Sequence, residues 1–169
     1  MNRPPYRVLF LCTGNSARSI LAEYILRERG HGRFESFSAG ASPTGRVNPF
    51  ALEILRDHFA IAADEARSKS WEEFKAQSFD FVITLCDKAQ ESCPNWPGGP
   101  VTAHWGSPDP AAVPGDAATK RRAFVNVATQ IAARIGIFTS FRDDQLDTFR
   151  VRDIGREFTP PATAADQLP

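Results

Sequence analysis

Cysteine, methionine, tyrosine and histidine are all scarce in this chain: three, one, two and three respectively among 169 residues. Three cysteines are too few, and odd in number, for a permanent disulfide framework, so packing or chemistry must account for them. His31, His58 and His104 do not stand at the spacings by which zinc ligands pair with cysteine, and no metal site is expected. Neither sign of charge prevails. Twenty Lys plus Arg face twenty Asp plus Glu, which leaves out the basic excess that nucleic acid or an anionic membrane demands. Long hydrophobic runs are missing as well; residues 8–12 form one of the longest, far short of a bilayer span, and Met1-Asn2-Arg3-Pro4-Pro5 opens no signal peptide. A cytoplasmic monomer is expected, with neither nucleic acid nor membrane as partner. No internal repeat is visible. What remains is an ordinary globular composition, 42% hydrophobic and 24% charged, at a length that suits one well-buried domain.

Strands and helices alternate along the chain. Residues 7–11 form a short apolar run of strand formers, and Ile20, Leu21, Tyr24 and Ile25 then fall on helical spacing up to Gly30. A second strand is expected over 34–38. Asn48-Pro49 supplies an N-cap and a first-turn proline for a helix carrying Ala51, Leu52, Ile54, Leu55 and Phe59. Ser70 and Glu73 read as a capping box opening a short helix to about residue 77. Strands follow over 79–86 and 101–105, joined by a loop with Cys93-Pro94, and a long helix over 117–135 comes next. Such alternation implies a four-stranded parallel sheet flanked by helices with flavodoxin-like winding. The domain is expected over 1–139. Residues 140–169 read as an extension, helical near 144–150 and mobile from 159.

The first strand ends in Cys12-Thr13-Gly14-Asn15-Ser16-Ala17-Arg18-Ser19. In an open α/β sheet, ligands bind where such loops lead into helix N-termini. Free amides and the positive end of the helix favour a tetrahedral anion there. Gly14 permits close backbone approach, Asn15 tolerates a left-handed turn, and Arg18 offers a planar fork for two oxygens. Thr13 to Ala17 thus supply the cradle. Cys12 sits at its mouth, where the helix end and Arg18 favour a thiolate and Ser19 could donate to the sulfur.

This octet near the N-terminus resembles the signature of the low-molecular-weight protein tyrosine phosphatase family, with element order matching over about residues 6–138. The resemblance implies that Cys12 is the nucleophile, that Arg18 holds the oxyanion and that Asp109, before Pro110, is the general acid. Thr84-Leu85-Cys86, Cys93-Pro94, His104-Trp105-Gly106 and Asp109-Pro110 are similar to the arsenate reductase branch that uses three cysteines and is recharged by thioredoxin. Phosphatases of this fold tend to carry an aromatic residue after the Asp-Pro pair, whereas Ala111 stands here. If the strands that end in Cys12 and Cys86 are neighbours, their backbones run about 4.8 Å apart, inside the Cα separation of about 4.4 to 6.8 Å that a disulfide requires. The implied activity is reduction of arsenate to arsenite by a relay in which Cys12 attacks, and Cys86 and then Cys93 resolve. No bound cofactor is expected; electrons come from thioredoxin, or alternatively from glutathione and glutaredoxin. Hydrolysis of phosphomonoesters through a Cys12 phosphoryl intermediate is the alternative activity, and an oxyanion or redox sensor the alternative of another class. Some members of the branch hold potassium through an asparagine, a glutamate, a serine and an aspartate. Asn15, Glu23 and Ser38 match, but Lys69 falls where the aspartate is expected, so an ammonium group should replace the metal.

Overall fold

The computed structural model describes residues 3–157. Four strands, β1 (Tyr6–Cys12), β2 (Phe34–Gly40), β3 (Phe81–Thr84) and β4 (Val101–His104), pair in the order β2-β1-β3-β4, all parallel. Helices α1 (Arg18–Arg29), α2 (Pro49–Phe59), α3 (Asp87–Ser92), α4 (Ala117–Ser140) and α5 (Thr148–Glu157) connect or follow them. The expected winding is therefore present, and its strand order turns back at β1, which lies between β2 and β3.

Alternation along the central strands sorts the core into two layers. Val8, Phe10, Phe81 and Ile83 face α1, α2 and α4, whose Ile20, Ile25, Ile54, Phe124, Ile131 and Ile135 are fully or almost fully buried. Leu9, Leu11 and Val82 face the other way, onto Phe74, Phe79, Ala89 and Trp96. That second layer is covered by short pieces: α3, a 3-10 turn over Trp71–Phe74 and the loop around Trp96.

Several boundaries differ from the sequence reading, each for a local reason. β3 spans four residues rather than 79–86 because its partners do: Val8 to Leu11 on one side, Val101 to His104 on the other. Ahead of it, Phe79 turns its ring onto Phe37, Phe74 and Trp96. Ser70 caps the next turn by accepting from Glu72 N at 3.2 Å, but Glu73 gives its carboxylate to Arg67 at 2.6 Å instead of back to the cap, so no capping box forms and the piece stays a single 3-10 turn. α4 runs to Ser140 because its apolar stripe continues through Phe138. The segment between Cys86 and Cys93, read as loop, is α3. At the end of the described chain the helix begins at Thr148 rather than 144, and Val151 and Ile154 are buried in the main core. The mobile end expected from 159 lies outside the described residues. Among the described residues no helix is long and apolar enough to cross a membrane.

Candidate active site

β1 and β3 are the adjacent strands from which the chain departs in opposite directions, and ligand crevices in open α/β sheets form beyond the carboxyl ends of such strands. Cys12 ends β1. Cys86 follows β3 by two residues, and Leu11 pairs with Thr84. One step across and one step along the sheet separate the two Cα atoms, a distance of about 6 Å from the strand spacing and rise. A disulfide can span that gap. All three cysteines are free thiols, and Cys12, Cys86 and the half-buried Cys93 gather in the second-layer cluster with Ala89 and Trp96.

The loop between Cys12 and α1 has a geometry that suits an anion. Asn15 adopts the left-handed conformation, φ 46°, which turns its backbone N–H onto Cys12 Sγ at 3.3 Å. Ser19 Oγ stands 2.8 Å from the same sulfur. Ala17 occupies the N-cap position of α1 without any side-chain cap, so first-turn amides are left for a ligand. Gly14 O accepts from Thr44 N and Ser68 Oγ, and Ser16 O accepts from Asn48 N, which fixes the loop from outside. Thr13 Oγ1 lies 3.2 Å from Cys86 Sγ and so links the anion loop to the second thiol. Gly40, at the end of β2, is required here: a Cβ would fall 2.5 Å from Thr13 O, inside any tolerable contact.

Arg18 and Asp109 meet over this loop. Arg18 Nη1 donates to Ser107 O at 3.0 Å, and its Nη2 lies 4.0 Å from Asp109 Oδ2. The other Asp109 oxygen accepts from Ala111 N at 3.0 Å and caps the turn over Pro110–Ala112. One carboxylate oxygen is thus anchored while its twin faces Arg18. Ala111 is exposed.

Behind the loop a buried cluster organises Asn15. Its Nδ2 donates to Ser19 Oγ at 2.8 Å and Ser38 Oγ at 3.0 Å, and its Oδ1 accepts from Lys69 N at 2.9 Å. Lys69 Nζ stands among Ser38 Oγ at 3.1 Å, Arg67 O at 3.2 Å, Glu23 Oε1 at 3.4 Å and Asn15 Oδ1 at 3.5 Å. The ammonium fills the centre of this oxygen set, and the residues present do not fit a resident metal cation. Burial pushes the Lys69 pKa down and the Glu23 carboxylate opposes that. Both side chains are almost completely buried, 7% and 5% exposed. Breaking a buried pair costs about 3 to 5 kcal/mol, less the part that Arg27 Nη2, 3.3 Å from the other Glu23 oxygen, retains here. Lys69→Met should therefore lower unfolding free energy by that order in denaturant titrations, and adding Glu23→Gln should recover a large part of it. Equal stability of the single variant and wild type would show the cluster to be inert.

Near the second and third thiols, Thr84 Oγ1 and His104 Nδ1 lie 2.7 Å apart and His104 Nε2 lies 3.0 Å from Asp87 Oδ1, so His104 ties the start of α3 to β3 and β4. Burial raises the Cys93 thiol above its ordinary pKa. The Trp96 indole N–H beside the sulfur opposes that rise. His31 and His58 take no part in the site.

Comparison with known proteins gives the chain its relatives. The family model described as low molecular weight phosphotyrosine protein phosphatase matches residues 7–146. The arsenate reductase of Halalkalibacterium halodurans is 35% identical over 131 residues, which cover 78% of this chain and 93% of that protein. Among solved structures, an arsenate reductase in the phosphate-binding state is similar with a TM-score of 0.64 at 26% identity, over 80% of this chain and 97% of that one. The thioredoxin-dependent arsenate reductase Cg_ArsC1' of Corynebacterium glutamicum is similar with a TM-score of 0.61 at 26% identity, over 80% of this chain and 61% of that one.

Proposed function

The chain belongs to the low molecular weight phosphotyrosine protein phosphatase family, and we propose that within it this protein reduces arsenate to arsenite with electrons from thioredoxin. One observation carries the reading: Cys12 under the anion loop, Cys86 one step across the sheet and Cys93 at the far end of α3 all pack into or against a single cluster. The names of the relatives support it.

The Cys12 thiolate attacks arsenic, forming a sulfur–arsenic bond, while an arsenic–oxygen bond breaks and Asp109 supplies the proton with which the oxygen leaves as water. Arg18 and the loop amides hold the remaining oxygens. The Cys86 thiolate then attacks the Cys12 sulfur. The sulfur–arsenic pair stays on arsenic, which falls from the pentavalent to the trivalent state and departs as arsenite. Cys93 next attacks Cys86, returning Cys12 as thiolate and leaving a Cys86–Cys93 disulfide for thioredoxin to reduce.

The last exchange needs α3 to unwind. Seven residues along a helix separate Cys86 and Cys93 by about 10 Å, beyond the reach of a disulfide. A six-residue helix that buries Ala89 alone is poorly held by its own hydrogen bonds, so the transition is inexpensive.

Hydrolysis of phosphomonoesters is the side activity expected of the same loop, because phosphate and arsenate share shape and charge. No ring follows Pro110 to frame a phosphotyrosine.

Arsenite formation with thioredoxin, thioredoxin reductase and reduced cofactor tests the proposal. Turnover well above ester hydrolysis supports it, whereas ester hydrolysis without arsenite formation would return the protein to the phosphatases. The pH dependence gives a second arm. Burial raises the Cys93 thiol, the thiolate is the attacking form, and below that raised pKa its fraction grows about tenfold per pH unit. The rate of Cys86–Cys93 bond formation should climb in that way from pH 6 to 8 in stopped-flow measurements. A flat profile would contradict attack by the Cys93 thiolate.

A further inference from the structure

α5 lies beyond residues 7–146, yet it is packed onto the chain that leads to Asp109. The fully buried Trp105 donates its indole N–H to Val151 O at 2.9 Å. Arg152 Nε donates to Thr102 O at 2.9 Å. A Cβ on Gly155 would fall 2.1 Å from His104 O, so the helix backbone rests directly on the residue that opens the loop.

From α4, Arg134 reaches the same loop on its inner side. Its side chain is completely buried. Nη1 has Trp105 O at 2.7 Å, Gly106 O at 3.0 Å and Ser107 Oγ at 3.0 Å within reach, and Nη2 points to Gly155 O at 3.5 Å. Among the described residues no carboxylate pairs with it, and burial lowers its pKa to about 10, which leaves it charged at neutral pH. A buried cation without a counter-ion is tolerated only where dipoles replace its hydration. Here those dipoles are the carbonyls of 105, 106 and 155, so any displacement of the loop or of α5 would strand the charge. Ser107 O in turn accepts from Arg18 Nη1 at 3.0 Å, and Asp109 is two residues further on.

We propose that Arg134, clamped between α5 and the loop over 105–107, is a positioning residue that sets Asp109 over the anion site. The proposal rests on the reading of Asp109 as proton donor. A guanidinium suits the task because its fork addresses the loop and α5 at once, whereas the single ammonium of lysine serves one of them. Loss of the clamp shifts the carboxyl, and a misplacement of about 1 Å is enough to cost a reaction on the order of a hundredfold.

Leaving-group dependence in the full chain separates misplacement from general damage. p-Nitrophenolate departs with little need of a proton; phenolate needs one. Arg134→Lys should lower kcat/KM for phenyl phosphate, which reports the step that expels the leaving group, about tenfold more than kcat/KM for p-nitrophenyl phosphate. A purely structural loss would reduce both esters alike. Because Arg134→Lys is able to disturb folding, Gly155→Ala, which forces α5 off His104, should bias the ratio in the same direction. Asp109→Asn provides the reference. If it leaves the ratio unchanged, the reading of Asp109 fails and the proposal falls with it. If it shifts the ratio while folded Arg134→Lys and Gly155→Ala do not, Arg134 has no positioning role and the proposal alone is overturned.

Discussion

Replacing Cys12 by serine is expected to abolish arsenite formation and ester hydrolysis together, each by about ten-thousand-fold or more, the scale on which removal of a catalytic nucleophile acts. Both reactions begin with the same atom. A serine hydroxyl would still be met by Asn15 N and Ser19 Oγ, which lie 3.3 and 2.8 Å from the present sulfur, so the loop should keep its shape. What the hydroxyl lacks is an accessible anion, because an alkoxide is far harder to form than a thiolate. Phosphate binding should survive, because its ligands are the loop amides and Arg18, and phosphate should still raise the melting temperature of the variant. Retained hydrolysis would show that the nucleophile lies elsewhere.

Cys86→Ser has a selective effect of similar size. Arsenate reduction should drop to background, while ester hydrolysis stays within about threefold of wild type. Cys86 stands outside the anion loop and meets it through Thr13 Oγ1, at 3.2 Å, a contact that a serine hydroxyl can remake. Hydrolysis needs a nucleophile, an oxyanion site and a proton donor; reduction also needs a thiol to take the electron deficit from arsenic. Splitting the two activities at this position is therefore diagnostic. Arsenite formation at the wild-type rate would contradict the relay, and equal loss of both activities would mean that Cys86 merely supports the loop.

The anion loop was legible because its parts are consecutive. An apolar strand, a turn with Gly14 and Asn15, and an amphipathic helix follow one another within 24 residues, and local physics decides each piece. The order of strands followed from alternation and from the handedness of crossovers. The supports of the loop were harder to see, since Ser38 and Lys69 approach Asn15 from two distant segments and Glu23, on α1, reaches it only through them; a likeness to relatives, not periodicity, pointed to them. Arg134 left a signal that went unread. It interrupts the apolar stripe of α4 at helical spacing between Ile131 and Phe138, where a charge must find partners. Those partners are carbonyls of the loop after β4 and of α5, which no local pattern announces. α3 was missed for the opposite reason: Asp87, Lys88, Ala89, Gln90 and Glu91 include good helix formers, but six residues between two cysteines and a proline read more readily as loop.

Cys93→Ser puts the central claim to its most direct test. With excess arsenate, thioredoxin and reductase, this variant should release one equivalent of arsenite per chain in a single burst and then stop, with Cys12 and Cys86 joined in a disulfide that peptide mapping detects. Continued turnover at the wild-type rate, or a burst that leaves Cys12 and Cys86 unlinked, would contradict the account.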